Sequence, residues 1–546
     1  MKKGRIFFIS LILAIIFSSP GLLFCQDSMD SVPCLKYVHP DSAVLLFFDW
    51  DTLIKKGLSW EAVKNLANSS SPAFEAESSR EDLIKKLLDN PSETGIDPLK
   101  RGIIFITLTN RNDSRLSGAV VSLNDSMKFN DFIASSLGPS NSGSIKKTNN
   151  FNFVEINSGI IGWDDNAVML LTSEIDGIDL QKEMSALFEN ENKSNSFYLR
   201  PGLKMMLEQP FDLSSWFSLN TFISNRQSYL EDTDTNSMIN LMTNLEITMR
   251  LEFLNGCVVI NIDAVGLNTN GYIGADLFRK KMGPYLFNSL PGKDLIGFLS
   301  MAVDMKKLNS AGVIPSKYKK DINNVSPSLG TLDEALSSIG IGMRDITGSL
   351  GGDFLLFATD IGGRKSDIEL GLAAAVRDKV KLNILMSKLI KSNIIVKDQK
   401  SKNVFLINSG KDKKGSVLSG NIYIILKENR IYIVTSALKD YLLSKRISRP
   451  AVSPELLKLT YDNQVTGYID IELLVKKLAE SGKGETAFTA ALIGNFFKDI
   501  RLIMNQINPA SANLRLEINL TDNSENSLKV ILDRIGNFTG EGGEGE

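Results

Sequence analysis

Two aspartates, one histidine and three cysteines are the residues of this chain whose types and placing could carry chemistry. Asp49 and Asp51 stand two apart in LFFDWDTLIKKG, residues 46–57. That spacing suits a carboxylate pair for acid–base work, and it equally suits the first turn of a helix. His39, in YVHPDS, is the only histidine of the 546 residues. A Ser-His-Asp or Cys-His enzyme would need it as its base, and a site built from several histidines is arithmetically excluded. The expected reading of His39 is a turn residue before Pro40. Cys34 and Cys257 could form at most one bridge in the body of the protein, so a disulfide framework is excluded.

The weaker motifs lead to the same place. DTDTN (232–236) starts like a calcium loop, but Ser237 replaces the required glycine and Thr243 the bidentate glutamate. GIGMRD (340–345) lacks the third glycine of a dinucleotide fingerprint, and GSLGGD (348–353) is not closed by Lys-Ser or Lys-Thr. No cofactor and no metal is expected. Catalysis by two carboxylates alone needs only that two acids meet in space, so a carboxylate-dependent hydrolase of envelope polymers stands as the enzyme alternative.

The elements that must position these residues are found by comparing the chain with itself. GAVVSLNDSMKFNDFI (118–133) matches GLAAAVRDKVKLNILM (371–386) without a gap. FVEINSG (153–159) matches VFLINSG (404–410), VMLLTS (168–173) matches IYIVTS (431–436), and ITMRLEF (247–253) matches ANLRLEI (512–518), in the same order. The opening stretch recurs as SWFSLNTFISNR (215–226), GFLSMAVDMKKL (297–308) and GYIDIELLVKKL (467–478). Its fourth position is Asp49, Ser218, Ser300 and Asp470, all residue types whose side-chain oxygen caps a helix. The second acid is missing from two copies, so the expected unit is a buried strand running into a capped helix, with these four residues as structural caps.

The expected fold class is α+β, a tandem duplication of a mainly antiparallel sheet unit with helices. Hairpin signals at TNRNDS (109–114) and WDDNA (163–167) favour antiparallel pairing. Strands are expected near 43–48, 102–108, 117–123, 151–157 and 167–172, and helices near 51–66, 80–89, 126–137 and 178–189. The repeats are assigned to 36–282 and 283–536, with Lys411–Gly420 as a surface insertion. Residues 537–546 are expected to form a disordered acidic, Gly-rich tail.

Residues 1–25 read as a signal peptide: Lys2, Lys3 and Arg5, then the apolar run Ile6–Phe17, then Pro20 and Gly21. Cys25 is the candidate lipidation residue, and cleavage after it, leaving Gln26, is the alternative. An extracytoplasmic, periplasmic or lipid-anchored location is expected. The formal charge is −2, and −5 once the three basic residues are removed, so nucleic acid is not an expected partner. Membrane contact is expected only through the lipid anchor.

The stretches HPDSAVLLFFDWDTLIKKG, LLDNPSETGIDPLKRGIIFI and GAVVSLNDSMKFNDFI resemble a family of exported bacterial envelope proteins, many of them predicted lipoproteins, known only as a domain of unknown function. The resemblance implies an envelope protein and brings no catalytic residues with it. The leading expectation is a noncatalytic protein that binds an unknown envelope protein or an apolar ligand.

Overall fold

The computed structural model describes residues 32–59, 87–108, 115–137, 144–173, 177–189, 197–224, 244–266, 278–310, 338–360, 368–408, 421–444, 452–481, 494–508 and 511–540, apart from isolated positions and residues 157–158 and 291–294. The chain forms two compact units, Met1–Leu267 with Asp522–Glu546, and Asn268–Thr521.

In the first unit, β1 (Ser42–Phe48) runs into α1 (Trp50–Lys55), and β2 (Gly102–Leu108) and β3 (Arg115–Ser122) lead to α2 (Ser126–Leu137). Then come β4 (Lys146–Lys147), β5 (Asn152–Ile156), β6 (Gly159–Trp163), β7 (Ala167–Ser173), α3 (Leu180–Phe188) and α4 (Pro201–Leu207). β8 (Leu213–Ser218) runs into α5 (Leu219–Ser224), and β9 (Glu246–Leu254) pairs with β10 (Cys257–Val265). Every pairing is antiparallel, in the order β4-β5-β6-β7-β3-β2-β1-β8-β9-β10.

The second unit repeats this plan. β11 (Leu295–Ala302), α6 (Met305–Ser310), α7 (Met343–Ser349), β12 (Leu350–Thr359), β13 (Glu369–Val376) and α8 (Lys379–Lys391) are followed by β14 (Ile395–Lys397), β15 (Val404–Ile407), β16 (Tyr423–Lys427) and β17 (Arg430–Val434). α9 (Ser436–Ser444), α10 (Pro454–Asp462), β18 (Val465–Asp470), α11 (Ile471–Ser481), β19 (Phe497–Asn508) and β20 (Ser511–Leu520) complete it. The order β14-β15-β16-β17-β13-β12-β11-β18-β19-β20 is that of the first unit, strand for strand. The fold class is α+β, and the duplication is one of topology as well as of letters.

One packing device appears in both units. Phe105 lies opposite Gly118 and Phe357 opposite Gly371, each ring covering the glycine of the neighbouring strand. A Cβ on Gly118 would stand 2.2 Å from the Phe105 ring, and one on Gly371 would stand 2.3 Å from that of Phe357. Both rings are buried, so they cannot swing aside. The first core gathers Leu45, Phe47, Phe105, Met169 and Trp216 under Leu203 and Met206 of α4. The second gathers Phe298, Leu355, Phe357 and Tyr432 under Leu438 of α9 and Leu456 of α10.

The last helix, α12 (Ser527–Gly540), belongs to the first unit although it follows the second in sequence. Gly256 N–H donates to Glu525 O, Asn526 Nδ2 to Phe253 O, and Ser527 Oγ to Cys257 O. Leu528 and Leu532 are buried. The repeat boundaries at 282/283 and 536 describe internal likeness, whereas compactness divides the chain at 267/268 and at 521/522. α12 continues to Gly540, past the expected start of the tail at 537. Residues 541–546, the expected signal peptide over 1–25 with Cys25, DTDTN, Lys411–Gly420, TNRNDS and the expected helical stretches over 60–86 lie outside the described residues.

Candidate functional site

The opening aspartates do separate local work. Asp49 Oδ1 accepts the N–H of Thr52 at 3.0 Å, and Asp51 forms an i,i+4 ion pair with Lys55 at 2.5 Å. Ser218 accepts the N–H of Thr221 at 3.3 Å, and Asp470 that of Leu473 at 2.9 Å. Ser300 is not a cap. It sits inside β11 and donates to Thr466 O at 3.2 Å. Asp304 receives the N–H groups of Lys306 and Lys307 at the start of α6 instead.

The ladder explains the slip. Ser300 pairs with Leu355 and Leu45 with Phe105, while Phe298 pairs with Phe357. By strand register, Ser300 therefore occupies the place of Phe47. A shift of two residues keeps every side chain on its own face, so an alternating apolar pattern looks the same after it.

His39 is part of a turn: its Nδ1 accepts the N–H of Asp41 and its carbonyl accepts that of Ser42. Cys34 and Cys257 are not joined by a disulfide. Cys34 Sγ lies 3.1 Å from Ser122 Oγ, and burial pushes its thiol up to about 12 from 9.0. GIGMRD starts α7, with Gly342 N–H donating to Asp345. Burial and the hydrogen bond to Asp164 raise Tyr37, as burial and the bond to Asp353 raise Tyr285. The family-like stretch Asn90–Asp97 is structural too, with Gly95 at φ +85° and its carbonyl holding the N–H groups of Asn124 and Asp125. Lys56 had no sequence signal. Half burial lowers it to about 8, and its Nζ donates to Phe253 O, the carbonyl that also receives Asn526.

Among the described residues, the strand registers bring one pair of acids directly opposite each other, Asp470 and Asp499. A glycosidase pair needs one acid to protonate the leaving group and another to act as base or nucleophile. Here Asp470 caps α11, while Asp499 accepts Arg501 Nε at 3.0 Å and Asn519 Nδ2 at 2.7 Å. Arg501 also holds Glu455 at 2.7 Å. Burial, then Asp470 and Asp499, raise the Tyr468 hydroxyl, so the group is a protonated donor. Both acids are occupied by structural partners.

The other face of each sheet is different. Leu516, Leu502, Gly467, Leu299, Leu356, Leu372, Ile433 and Ile424 form one cross-strand row in the second unit. Eight strands at about 4.8 Å give it a length of about 34 Å. The next row holds Ile518, Ile500, Ile469, Gly297, Ala358 and Leu370. α8 packs on the Ile424 end, and α11 packs over Phe497 and Ile500. Between them Leu356, Leu370 and Ile469 are 46%, 37% and 41% exposed. Glycine and alanine at 297, 467 and 358 lower the floor beside these side chains. The matching face of the first unit reads Ile262, Met249, Ser215, Leu46, Ile104, Ala119, Leu170 and Ile161, with Ser117 and Thr172 in the adjoining row. It is the more polar of the two.

Among the described residues no three His, Cys, Asp or Glu side chains form a metal-holding group, and no helix is long and apolar enough to cross a membrane. No curated protein matches the chain. Solved structures of TP0453 in crystal forms III, IV and I are similar over part of the chain, at 11%, 13% and 13% identity. They cover 43%, 42% and 43% of this chain and 79%, 80% and 80% of their own, with TM-scores of 0.25, 0.23 and 0.24. The family described as Domain of unknown function (DUF4836) matches residues 53–449, most of the length over which the duplicated sheets run, and the chain belongs to that family.

Proposed function

We propose that the protein is a noncatalytic extracytoplasmic envelope protein that holds an apolar ligand against the second face of its sheets. The observation that carries this reading is the row through Leu299, Leu356 and Leu372, with the exposed Leu370 and Ile469 beside it. A soluble sheet needs one apolar face for its core; a second, left partly in water, is a binding surface. Covering what remains exposed of Leu356, Leu370 and Ile469 is worth roughly 5 kcal/mol at ~25 cal/mol per Å². The basic and apolar N-terminal residues support export.

The test is to isolate the protein from its native envelope and extract what travels with it. Recovery of an apolar molecule, reduced severalfold by Leu356→Gln with Leu370→Gln, supports the reading. Recovery of only a partner protein would replace the ligand by that protein. Turnover of an envelope glycan, abolished by Asp499→Asn without loss of folding, would overturn the noncatalytic reading.

A further inference from the structure

We propose that helix α8 docks the second unit onto an anionic lipid bilayer surface. The helix has two apolar sides, where a helix lying on a soluble core needs one. Leu382 and Met386 face inward, into the cluster with Ile395, Phe405 and Ile424. Val380 and Ile384, 69% and 52% exposed, stand one turn apart on the opposite side, about 40° from each other around the axis. Ile390 is a further exposed apolar residue.

Charge surrounds this ridge. The helix carries Lys379, Lys381, Lys388 and Lys391 and no acid, and the stretch 379–402 holds seven lysines against Asp398 alone. The near-neutral charge of the whole chain conceals this local excess. Among the described residues two acids meet the helix from its surroundings: Asp378, its cap, at 4.0 Å from Lys381, and Asp345, paired with Lys388 at 2.9 Å. Lys379, Lys381 and Lys391 remain exposed around Val380 and Ile384.

The side-chain types choose the partner. Residues 379–402 contain no aromatic residue and no arginine, the groups that stack on bases or fork onto single carboxylates. Lysines are flexible point charges, and their stems can lie along acyl chains while the ammonium reaches the headgroups. Exposed aliphatic side chains ringed by lysines therefore match an anionic interface. The first unit supplies an internal control. Its equivalent helix, α2, exposes Met127 at the position of Val380, but carries only Lys128 and Asp131, which cancel.

The experiment is flotation of the full chain with vesicles of phosphatidylcholine alone or mixed equally with phosphatidylglycerol. All variants keep the same N-terminus, so any anchor cancels in the ratio of anionic to neutral binding. The wild type should prefer anionic vesicles, less so at high salt. Replacing Lys379, Lys381 and Lys391 by Glu should lower that ratio at least tenfold, since each lysine near such a surface contributes about fivefold. Val380→Ser with Ile384→Ser should lower binding to anionic vesicles, and Met127→Ser with Lys128→Glu should leave it unchanged. No anionic preference in the wild type, equal loss in the α2 control, or capture of an acidic protein without vesicle binding would each overturn the proposal.

Discussion

Trp216 and Glu246 stand in the first unit where Tyr468 and Asp499 stand in the second, on equivalent strands of the same ladder. Glu246 is buried and accepts Trp216 Nε1 at 3.0 Å and the Gly202 N–H of α4 at 2.8 Å. Asp499 is also buried, but its partners are Arg501 and Asn519, and Arg501 extends to Glu455 at the start of α10. In one unit a longer carboxylate reaches the helix amide itself. In the other a shorter one reaches the helix through a guanidinium. The duplication thus preserves a task, tying a strand end to the helix lying over it, while the atoms that do it have changed. A buried carboxylate with two donors is a structural tie in both settings, which is why a facing pair of acids gives so little support to hydrolysis.

The largest effect should come from breaking the simpler tie. Glu246→Ala strands an indole N–H and a helix amide in the core and should cost about 4 kcal/mol. Asp499→Ala leaves Arg501 its second carboxylate and should cost about half as much. Chemical denaturation of both variants measures the difference, and equal losses would show that Arg501 adds nothing.

Next in size is a change that should treat the units alike. Gly118→Ala and Gly371→Ala each drive a methyl into a buried Phe ring, at about 2–3 kcal/mol. Hydrogen exchange of the two sheets should report loosening confined to the substituted unit. Loosening of both sheets by either variant would mean that the units do not respond separately.

Helix caps give a smaller contrast. Asp49→Ala and Asp304→Ala should each cost about 1 kcal/mol, and Asp→Ser at either position should retain most of it. If Ser300→Ala were rescued by the same logic as Asp49→Ala, the register assignment would be wrong.

The smallest effect concerns the buried thiol of Cys34. Folding raises Cys34 from 9.0 to about 12, so its contribution is complete below 9 and declines as pH rises from there towards 12. Cys34→Ser should flatten that decline in a pH series of unfolding curves. Thiol labelling at neutral pH should modify the half-exposed Cys257 well before Cys34.

Much of the fold was legible because strands and their periodicity leave marks that survive duplication. β1, β2, β7 and α2 fall within a few residues of the expected segments, and Asp125 and Asp378 cap equivalent helices. Strand order left no such mark, since pairing joins residues far apart. β6 was missed because GIIGW is short and half glycine-bounded, and Ser300 was misplaced by a slip that preserves the face. The apolar second face was hidden for a related reason. Leu299 and Leu356 read as core residues in a buried strand, and only the completed sheet shows that Leu356 meets water. The tie at Glu246 needed Gly202 and Trp216 to converge, which no spacing announces.

The bonds from Phe253, Gly256 and Cys257 to Glu525, Asn526 and Ser527 set a timetable. A chain emerging from its N-terminus delivers the ten described strands of the first sheet early, yet the helix that closes their end arrives only after the second sheet. The second sheet can be finished while the first still waits. Until then the end of the β9–β10 hairpin lacks the cover that Leu528 and Leu532 provide, and a chain cut short before Asp522 would never complete the domain it began first.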